Sequence, residues 1–432
     1  MIVRRGYRYR IYPTPEQVAR LEAWEGALRF LWNVAHEQRL HAYSRCRVDR
    51  RYPTAFDQGL ELTELRAELP WLADVPRHLC VSLLDALDKA WNGCFQRVVR
   101  APRFKKRGRD EVGLCEYDAS KFRVEGDGRH ASVIFPKLGA IRAVVHRPLV
   151  GKAKSCTLTR DGDQWFASIV CELELPDPPA STKPPVAIDR GVAVLLADSN
   201  RRTVENPRFG EKLQARIARA QRTVARKQRG SKNQKKARAK VVRLHRKARR
   251  QREHLLHVES HHYAKNHGAI VMEKLNVQVM TRSARGTVES PGVNVAQKAG
   301  LNRAILDAGW GRFALMLRYK VETEGGRVIE VPATHSSQTC GACGVVDAAS
   351  RREQDVFLCI ACGHFDNADL NAARVLLARG LHALAVETTV TGCGGLAMGR
   401  PAKQQRRVAR RGARKGSSTI TNSLTNRVSE AR

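Results

Sequence analysis

Acidic residues are scarce in this sequence of 432 residues, which holds 42 Asp and Glu against 77 Lys and Arg. The net charge of +35 makes the surface repel itself, so the composition favours a polyanionic partner and points first to nucleic acid. No apolar run approaches the roughly 18 residues of a membrane span, and the start MIVRRGYRYR lacks the apolar core of a signal peptide. These absences predict a cytoplasmic protein without a membrane partner.

A disulfide framework is also lacking, because the eleven Cys are an odd number in a long chain and cluster near its C-terminal end. That distribution favours a metal site and free thiols in a reducing compartment. No internal repeat of solenoid period is visible. What is present is an ordinary hydrophobic share of 42% over a length that predicts two to four domains.

The N-terminal part combines strand and helix patterns. VRRGYRYRIY alternates as a half-buried strand does, and a capping box at 14–17 then begins a helix. A second apolar helical stripe covers about 76–100, so residues 14–100 form a small helical unit. Short alternating runs over 103–175 predict an antiparallel sheet. The first strand is expected to join that sheet, because it needs partners.

A second domain is predicted after the proline-rich boundary at 176–185. VAIDRGVAVLLADSN and RRTVEN have the pattern of two strands around a turn, and AIVMEKL and GGRVIEVP that of two more. LNRAILDAGWGRFALMLRYK predicts one helix packed on the sheet, and DLNAARVLLARG another. The Arg-, Gly- and Ser-rich segment 394–432 has the composition of a disordered basic tail.

A very basic stretch lies between the strands of this second domain. Residues 211–252 hold eighteen Lys or Arg with few apolar positions, and they predict a single helix. The usual interpretation of such a run is a solvated helical face. Here the like charges at spacings of three and four repel one another, and phosphates would neutralise them, so a nucleic-acid contact is the preferred interpretation.

Four cysteines have the spacing of a zinc ribbon. Two C-x-x-C pairs are separated by fifteen residues, and their thiolates close a tetrahedral shell around Zn²⁺: Cys340, Cys343, Cys359 and Cys362. Such a shell has no open position, so the zinc is expected to be structural. His335 and His364 lie beside the pairs, and we interpret them as surface or nucleic-acid contacts because four thiolates suffice.

Three acidic residues lie at the ends of apolar runs. Asp189 follows VAI, Glu273 follows AIVM, and Asp369 precedes a helical stripe. Taken singly, each is most simply a strand-end acid that reaches solvent or a helix N-cap. Taken together, in a chain so poor in acids, they could converge on a site where two Mg²⁺ ions offset their repulsion and support phosphodiester cleavage.

These motifs together resemble the transposon-encoded TnpB family, the ancestors of type V CRISPR effector nucleases. The resemblance covers roughly residues 1–380 and rests on motifs in the family's order and spacing: YRIYPTPEQ, PRFKKRG, VAIDRGV, IVMEKLNV, LNRAILDAGWGRF, SSQTCGACG and DLNAARVLLARG. It implies an α/β multidomain protein. A RuvC-like, ribonuclease-H-type nuclease domain with an inserted zinc ribbon follows a β-barrel-like wedge domain that contains an inserted helical recognition unit.

The resemblance also implies domain boundaries. The expected domains are a wedge domain at 1–13 and 103–180, a helical recognition domain at 14–102, a RuvC-like domain at 184–334 and 365–393, a Cys₄ ribbon at 335–364 and a basic tail at 394–432.

The implied function is an RNA-guided DNA endonuclease of an insertion sequence. By similarity Asp189, Glu273 and Asp369 are the catalytic carboxylates that bind two Mg²⁺ ions, and the four ribbon cysteines bind Zn²⁺. The partners are a guide RNA from the transposon end and a double-stranded DNA target. Base pairing then reads the sequence, and the basic protein holds the two backbones. The candidate phosphate contacts are Arg216, Arg219, Arg222, Arg226 and Lys227.

Two other functions fit parts of the sequence. A relative without nuclease activity would bind DNA through its guide RNA as a regulator, but it should lack one of the three carboxylates. A generic basic zinc-ribbon protein that binds RNA would leave Asp189 and Glu273 without a purpose. Arg190 departs from the family pattern: it points away from Asp189 if the strand alternates, and pairs with it if the strand bends back. Asn371 matches the family motif but is equally suited to bond the backbone at a helix start.

Overall fold

A computed structural model describes residues 1–49 and 52–392, and these fall into two compact units. The first extends from Met1 to Pro176 and the second begins at Asp177. The predicted basic tail lies outside the described residues. Within the described ranges, no helix is both long enough and apolar enough to cross a membrane.

The first unit is a seven-stranded antiparallel sheet with helices between its first two strands in sequence. Its elements are β1 (Ile2–Tyr12), α1 (Pro15–Asp49), α2 (Ala55–Glu68), α3 (Pro70–Ala73), α4 (Arg77–Phe95), β2 (Leu114–Glu116), β3 (Arg123–Glu125), β4 (Ser132–Phe135), β5 (Gly139–Val144), β6 (Lys152–Asp161) and β7 (Gln164–Glu174). The strand order is β2-β6-β7-β1-β5-β4-β3. The prediction that the first strand joins the later sheet is confirmed, because β1 pairs with both β5 and β7.

Local sequence explains where the first helix begins. The Thr14 main-chain N–H donates to the Gln17 side chain at 3.0 Å, and the Gln17 N–H donates to the Thr14 hydroxyl at 3.3 Å. This reciprocal pair is the predicted capping box. The core below combines the inward face of β1, with Tyr7, Tyr9 and Ile11, and the apolar stripes of α1 and α4.

The second unit is built on a five-stranded mixed sheet. Its elements are β8 (Val186–Asp189), β9 (Val194–Asp198), β10 (Thr203–Glu205), α5 (Phe209–Ala225), α6 (Lys232–Asn266), β11 (Ala269–Glu273), α7 (Val277–Met280), α8 (Val295–Ala308), α9 (Trp310–Thr323), β12 (Arg327–Val331), β13 (Val356–Leu358), β14 (Phe365–Asn367) and α10 (Ala368–Gly392). The sheet order is β10-β9-β8-β11-β12, with β8, β11 and β12 parallel. Strands β13 and β14 form a separate hairpin.

Two predicted helices are each divided in the structure. The basic stretch forms α5 and α6, because Gly230 adopts a left-handed φ of 84° and Ser231 then caps a new helix. The helix predicted over LNRAILDAGWGRFALMLRYK is interrupted at Gly309, whose φ of 72° ends α8 and begins α9. The single-helix predictions were therefore wrong, and in both cases a glycine in the left-handed region supplies the break.

The turn predicted between VAIDRGVAVLLADSN and RRTVEN is confirmed, because β9 and β10 pair across it, but the first predicted strand was too long. Residues 190–193 leave the strand conformation, so three strands form: β8, β9 and β10. The Gly191 N–H bonds the Leu195 carbonyl across this turn at 3.3 Å. The last helix continues beyond the predicted motif, through Gly380, to Gly392.

Opposite faces of the five-stranded sheet are covered by different helices. Val186, Ile188, Ile270 and Met272 pack in the core with residues of α6 and α9. Ala187 and Val271, which alternate with them, pack with Leu376 and so with α10. Because side chains alternate along a strand, Asp189 and Glu273 follow the pattern of Ala187 and Val271. The fold therefore directs both carboxylates to the face that α10 covers.

Candidate active site and metal centre

Two of the predicted catalytic residues end adjacent parallel strands. In the register of β8 and β11, Ile188 lies beside Met272, so Asp189 and Glu273 follow at the same edge of the sheet. Both side chains are half-buried. The carboxyl ends of parallel strands are where open α/β sheets bind ligands. The strand pairing thus brings together two acids separated by 84 positions in the sequence.

The third predicted carboxylate, Asp369, lies in the first turn of α10. The capping position is filled by Asn367, whose side-chain oxygen accepts from the Asp369 N–H at 3.0 Å and the Leu370 N–H at 3.3 Å. Asp369 is therefore not the residue that caps this helix, although the sequence allowed that interpretation. Its carboxylate belongs to the helix that covers the face of Asp189 and Glu273.

Electrostatics link the three carboxylates. Burial, together with the neighbouring charges of Glu273 and Asp369, raises the pKa of Asp189 to about 7. Burial also raises the pKa of Asp369, which the Arg351 guanidinium opposes. The anions of Asp189 and Asp369 are thus destabilised in the folded protein, and a divalent cation bound beside them would offset that cost. The donor set, three carboxylates, consists of the oxygen ligands that Mg²⁺ prefers.

Arg190 lies near the carboxylates but, among the described residues, forms no ion pair with Asp189. Its side chain is only 6% exposed, and its guanidinium donates to the main-chain carbonyl of Glu273. Its Nε has no hydrogen-bond partner among the described residues. Burial lowers the pKa of Arg190, while the nearby Glu273, Glu330 and Asp189 charges raise it. Arg190 therefore fixes the end of β11 and leaves the Glu273 carboxylate available.

A serine that the sequence interpretation missed contacts Glu273. The Ser336 hydroxyl donates to Glu273 Oε1 at 2.7 Å, and its side chain is only 4% exposed. Ser336 belongs to the SSQTC segment directly before the first cysteine pair. Its position in the sequence could have identified Ser336, because a loop that joins a sheet strand to a metal knuckle begins at the end of that strand.

The four predicted zinc ligands converge. Among the described residues, they form the one set of three or more metal-ligating side chains whose ligand atoms all lie within 4.8 Å of one another: Cys340, Cys343, Cys359 and Cys362. The sulfur atoms of Cys340 and Cys362 are 3.7 Å apart, and those of Cys343 and Cys359 are 3.6 Å apart. A tetrahedral shell with Zn–S bonds of about 2.3 Å needs sulfur separations of about 3.8 Å, so the residues fit zinc. The three carboxylates do not form a set of comparable tightness.

The two knuckles have the same backbone geometry. The Gly344 N–H bonds the Cys340 carbonyl and the Gly363 N–H bonds the Cys359 carbonyl, each at 3.0 Å. Both glycines have positive φ, 77° and 71°, a conformation that other residues adopt only with strain. The Cys362 N–H beside the Cys359 sulfur contributes most to lowering the pKa of that thiol, which favours the thiolate that zinc requires.

Asn371 joins the first knuckle to α10. Its side-chain nitrogen donates to the Thr339 carbonyl at 2.8 Å, and its side-chain oxygen accepts from the Gly341 N–H at 2.7 Å. The side chain is fully buried. The backbone-bonding alternative for this residue is thus the one that the structure shows, with the zinc knuckle as its partner.

The candidate phosphate contacts lie on the outer side of a helical hairpin. Helices α5 and α6 pack through a small apolar core that includes Leu213, Ile217 and Leu244. All five candidates are exposed on α5 or in the turn that follows it: Arg216, Arg219, Arg222, Arg226 and Lys227. The hairpin presents these charges to solvent as one basic surface.

Known protein families and solved structures that are similar to this chain identify its fold. A family model described as "Probable transposase" (OrfB_IS605) matches residues 168–284, a Cas12f1-like TNB domain matches 310–376, and a helix-turn-helix domain of the same OrfB family matches 1–47. A solved Cas12f1 complex with sgRNA and target DNA has a TM-score of 0.50 at 12% identity, covering 87% of this chain and 98% of that chain. The chain is therefore an α/β protein whose fold is similar to that of Cas12f1, with a Cys₄ cluster that could hold zinc.

Relatives in sequence give the family. "Putative RNA-guided DNA endonuclease InsQ" of Escherichia coli is 34% identical over 402 residues, which are 92% of this chain and 96% of InsQ. A protein of Streptomyces pristinaespiralis named "Putative RNA-guided DNA endonuclease" is 32% identical over 94% of this chain and 95% of its own. The chain belongs to this OrfB, or TnpB, family of insertion-sequence proteins.

Proposed function

We propose that this protein is an RNA-guided DNA endonuclease of an insertion sequence that hydrolyses target DNA next to a short motif. The observation that carries the proposal is the sheet edge where Asp189 and Glu273 end parallel strands, on the face covered by the helix whose first turn holds Asp369. Relatives that share 34% and 32% identity over nearly their full length are named for this activity. The complete carboxylate set favours a nuclease over a regulator that only binds DNA.

The proposed partners are a guide RNA from the transposon end and a double-stranded DNA target. A net charge of +35 allows the protein to hold two nucleic-acid backbones while base pairing reads the sequence. We assign this contact in part to the basic surface of α5, and we expect the protein to act in the prokaryotic cytoplasm. The proposed domains are the wedge at 1–13 and 103–180, the recognition unit at 14–102, the RuvC-like domain at 184–334 and 365–393, and the ribbon at 335–364.

The proposed chemistry uses the three carboxylates as ligands for two Mg²⁺ ions. When bound, such a pair activates a water molecule and stabilises the leaving oxygen of the phosphodiester. Asp189 and Glu273 would hold their carboxylate oxygens at the sheet edge, and Asp369 would add its own from α10. The pKa of about 7 at Asp189 means that this ligand is half protonated near neutrality before a cation favours its anion. The four cysteines would hold a structural Zn²⁺.

The test is to express the protein with its flanking element DNA, sequence the copurifying RNA and present the complex with plasmids that carry the matching target beside randomised flanks. Asp189→Asn and Glu273→Gln should abolish the linear product and leave RNA and DNA binding nearly intact, because only cation binding is lost. Glu289→Gln is the matched control, since Glu289 is an exposed loop residue.

Each result separates the candidate functions. A discrete RNA and a guide-dependent linear product that needs Mg²⁺ support the endonuclease. A discrete RNA with guided binding but no cleavage by the unmodified protein would favour the regulator. Recovery of no specific RNA would favour a generic RNA-binding zinc-ribbon protein and would overturn the proposal.

A further inference from the structure

Ser336 holds one oxygen of Glu273 in place. Its hydroxyl has a single proton and two acceptors within reach, Glu273 Oε1 at 2.7 Å and the Ala333 carbonyl at 3.2 Å. The carboxylate is the nearer acceptor, and hydrogen bonds to ionised acceptors are the stronger ones. The proton is therefore donated to Glu273, and the second carboxylate oxygen stays available for a cation.

The segment that carries Ser336 is anchored on α10. We call residues 332–339, between β12 and the first knuckle, the strap. Arg379 donates to the carbonyls of Pro332 at 3.2 Å and Thr334 at 2.8 Å, so it holds the start of the strap. Asn371 holds its end through the Thr339 carbonyl at 2.8 Å. Both anchors lie on α10, the helix whose first turn holds Asp369.

The strap is also braced internally. The Thr339 hydroxyl donates to the His335 carbonyl at 2.7 Å, and the Thr339 N–H donates to the same oxygen at 3.0 Å. His335 adopts a left-handed φ of 55°, a conformation that a residue with a side chain keeps only when its surroundings impose it. The hydroxyl of Ser336 thus stands on a fixed turn and not on a mobile loop.

We propose that Ser336 is a positioning residue that orients the Glu273 carboxylate for cation binding, and that the strap couples this orientation to α10 and the first zinc knuckle. The inference rests on the proposed function of Glu273 as a metal ligand. A glutamate side chain has several rotatable bonds, and a half-buried one without a partner would sample orientations that do not bind the ion. The bond from Ser336 removes that freedom before the cation arrives.

The test compares Ser336→Ala, Ser336→Thr and Ser260→Ala. Ser260 is the matched control, because it is a fully buried serine in the same unit whose hydroxyl donates to the Leu256 carbonyl within α6 and accepts from Lys320, with no bond to the three carboxylates. The first readout is the binding of Mn²⁺ in the absence of target DNA. It is measured by titration, with the electron paramagnetic resonance signal reporting the concentration of the free ion. The second is the Mg²⁺ dependence of the cleavage rate, and zinc content and melting temperature are measured alongside.

Ser336→Ala should weaken Mn²⁺ binding by about 10–100-fold, the range for partners of metal ligands, and raise the Mg²⁺ concentration needed for half-maximal cleavage similarly. Ser336→Thr, which keeps the hydroxyl, should restore most of the loss, and Ser260→Ala should match the unmodified protein. Arg379→Met, which removes bonds to Pro332, Thr334 and Thr339 of the strap without touching Glu273, should give a smaller loss in the same direction.

Unchanged Mn²⁺ binding in Ser336→Ala would overturn the proposal. Equal losses in Ser336→Ala and Ser336→Thr together with lost zinc would also overturn it, because the serine would then serve only the fold. If the unmodified protein binds Mn²⁺ but does not cleave, the proposed function fails while the positioning role is still decided by the binding series. If Glu273→Gln binds Mn²⁺ normally, the assumption that Glu273 is a ligand is wrong.

Discussion

Asp189 combines three influences that a single residue seldom meets together. It is half-buried, it faces two other carboxylates, and it accepts the N–H of the next residue, Arg190. The first two favour the neutral acid and the last favours the anion, and the balance is a pKa of about 7. The folded protein without a divalent cation is therefore strained at this residue near neutral pH.

This strain predicts a pH-dependent stability in buffer without Mg²⁺. The folded state keeps the Asp189 proton up to about pH 7, whereas the unfolded chain releases it near pH 4. The contribution of Asp189 to stability therefore falls as pH rises between these values and stays low above them. Asp189→Asn removes the charge, so its melting temperature should exceed that of the unmodified protein at pH 8, by roughly 2–4 °C for each kcal/mol regained, and the difference should shrink toward pH 5.

Calorimetry at several pH values checks this, with Asp127→Asn as the control on an exposed loop of the first unit. Added Mg²⁺ should narrow the difference at pH 8, because the cation relieves the same repulsion. A difference between the two proteins that does not change with pH would contradict the raised pKa.

At the level of elements, the sequence predicted much of the fold because its signals were local. The capping box of α1, the alternation of β1 and the C-x-x-C spacing are each readable within a few residues. The breaks at Gly230 and Gly309 were missed, because a glycine within a helical pattern can continue the helix or adopt a left-handed φ. Which of the two it adopts depends on the tertiary packing of the next helix, and one sequence does not reveal that packing. Ser336 was missed because its importance depends on a partner 63 residues away in the sequence.

Gly380 shows how close approach sets the position of α10. A Cβ at this residue would lie well inside van der Waals contact of the Val271 side chain on β11. Gly380→Ala should therefore destabilise the protein, because overpacking costs about 1–3 kcal/mol while the gain in helix propensity is about 1 kcal/mol. Since α10 carries Asp369, cleavage should fall as well.

Gly311→Ala in α9 is the matched control, because no atom lies within 4 Å of a Cβ built there. That variant should gain up to about 1 kcal/mol, the helix-propensity difference between glycine and alanine. Thermal unfolding distinguishes the two cases. Equal stabilisation by both substitutions would show that α10 does not approach β11 as closely as described.

The ribbon is a second element whose stability can be tested alone. Cys340→Ser should reduce bound zinc from about one ion per chain to near none and make the segment between the knuckles sensitive to protease, because zinc binding in such sites is also folding energy. Through Asn371 the loss should reach the start of α10. The control is Cys115→Ser, which lies outside the ribbon and should leave the zinc content unchanged. Elemental analysis measures the zinc content of both variants. A normal zinc content in Cys340→Ser would rule out this ligand set.

At the scale of the whole molecule, the family and the class of partner could be predicted from the sequence, whereas the geometry of the site could be predicted less well. Net charge and motif order are global properties, so predictions based on them do not depend on the exact bounds of single helices or strands. The placement of Asp189, Glu273 and Asp369 depends instead on strand register and on which face α10 covers, and neither can be read from one sequence. The convergence of the four cysteines was easier to predict, because each pair lies within one short turn and only the contact between the two turns is long-range.

The charge of +35 raises the question of whether nucleic acid binds to a defined surface or to a diffuse field. Helix α5 provides the test, because Arg216, Arg219 and Arg222 are exposed on one hairpin. Replacing all three with Gln should weaken guide-RNA binding and reduce the dependence of log affinity on log salt by about one for each phosphate that the helix no longer neutralises.

A control triple removes the same charge elsewhere. Lys89, Arg129 and Lys152 are exposed residues of the first unit, and their replacement with Gln leaves an equal net charge. Fluorescence anisotropy at several salt concentrations then compares the two triples. A larger loss of affinity and slope for the α5 triple means that the hairpin contacts phosphates directly, because a diffuse field would respond equally to both. Equal losses would mean that α5 contributes no more to binding than the exposed charges of the first unit do.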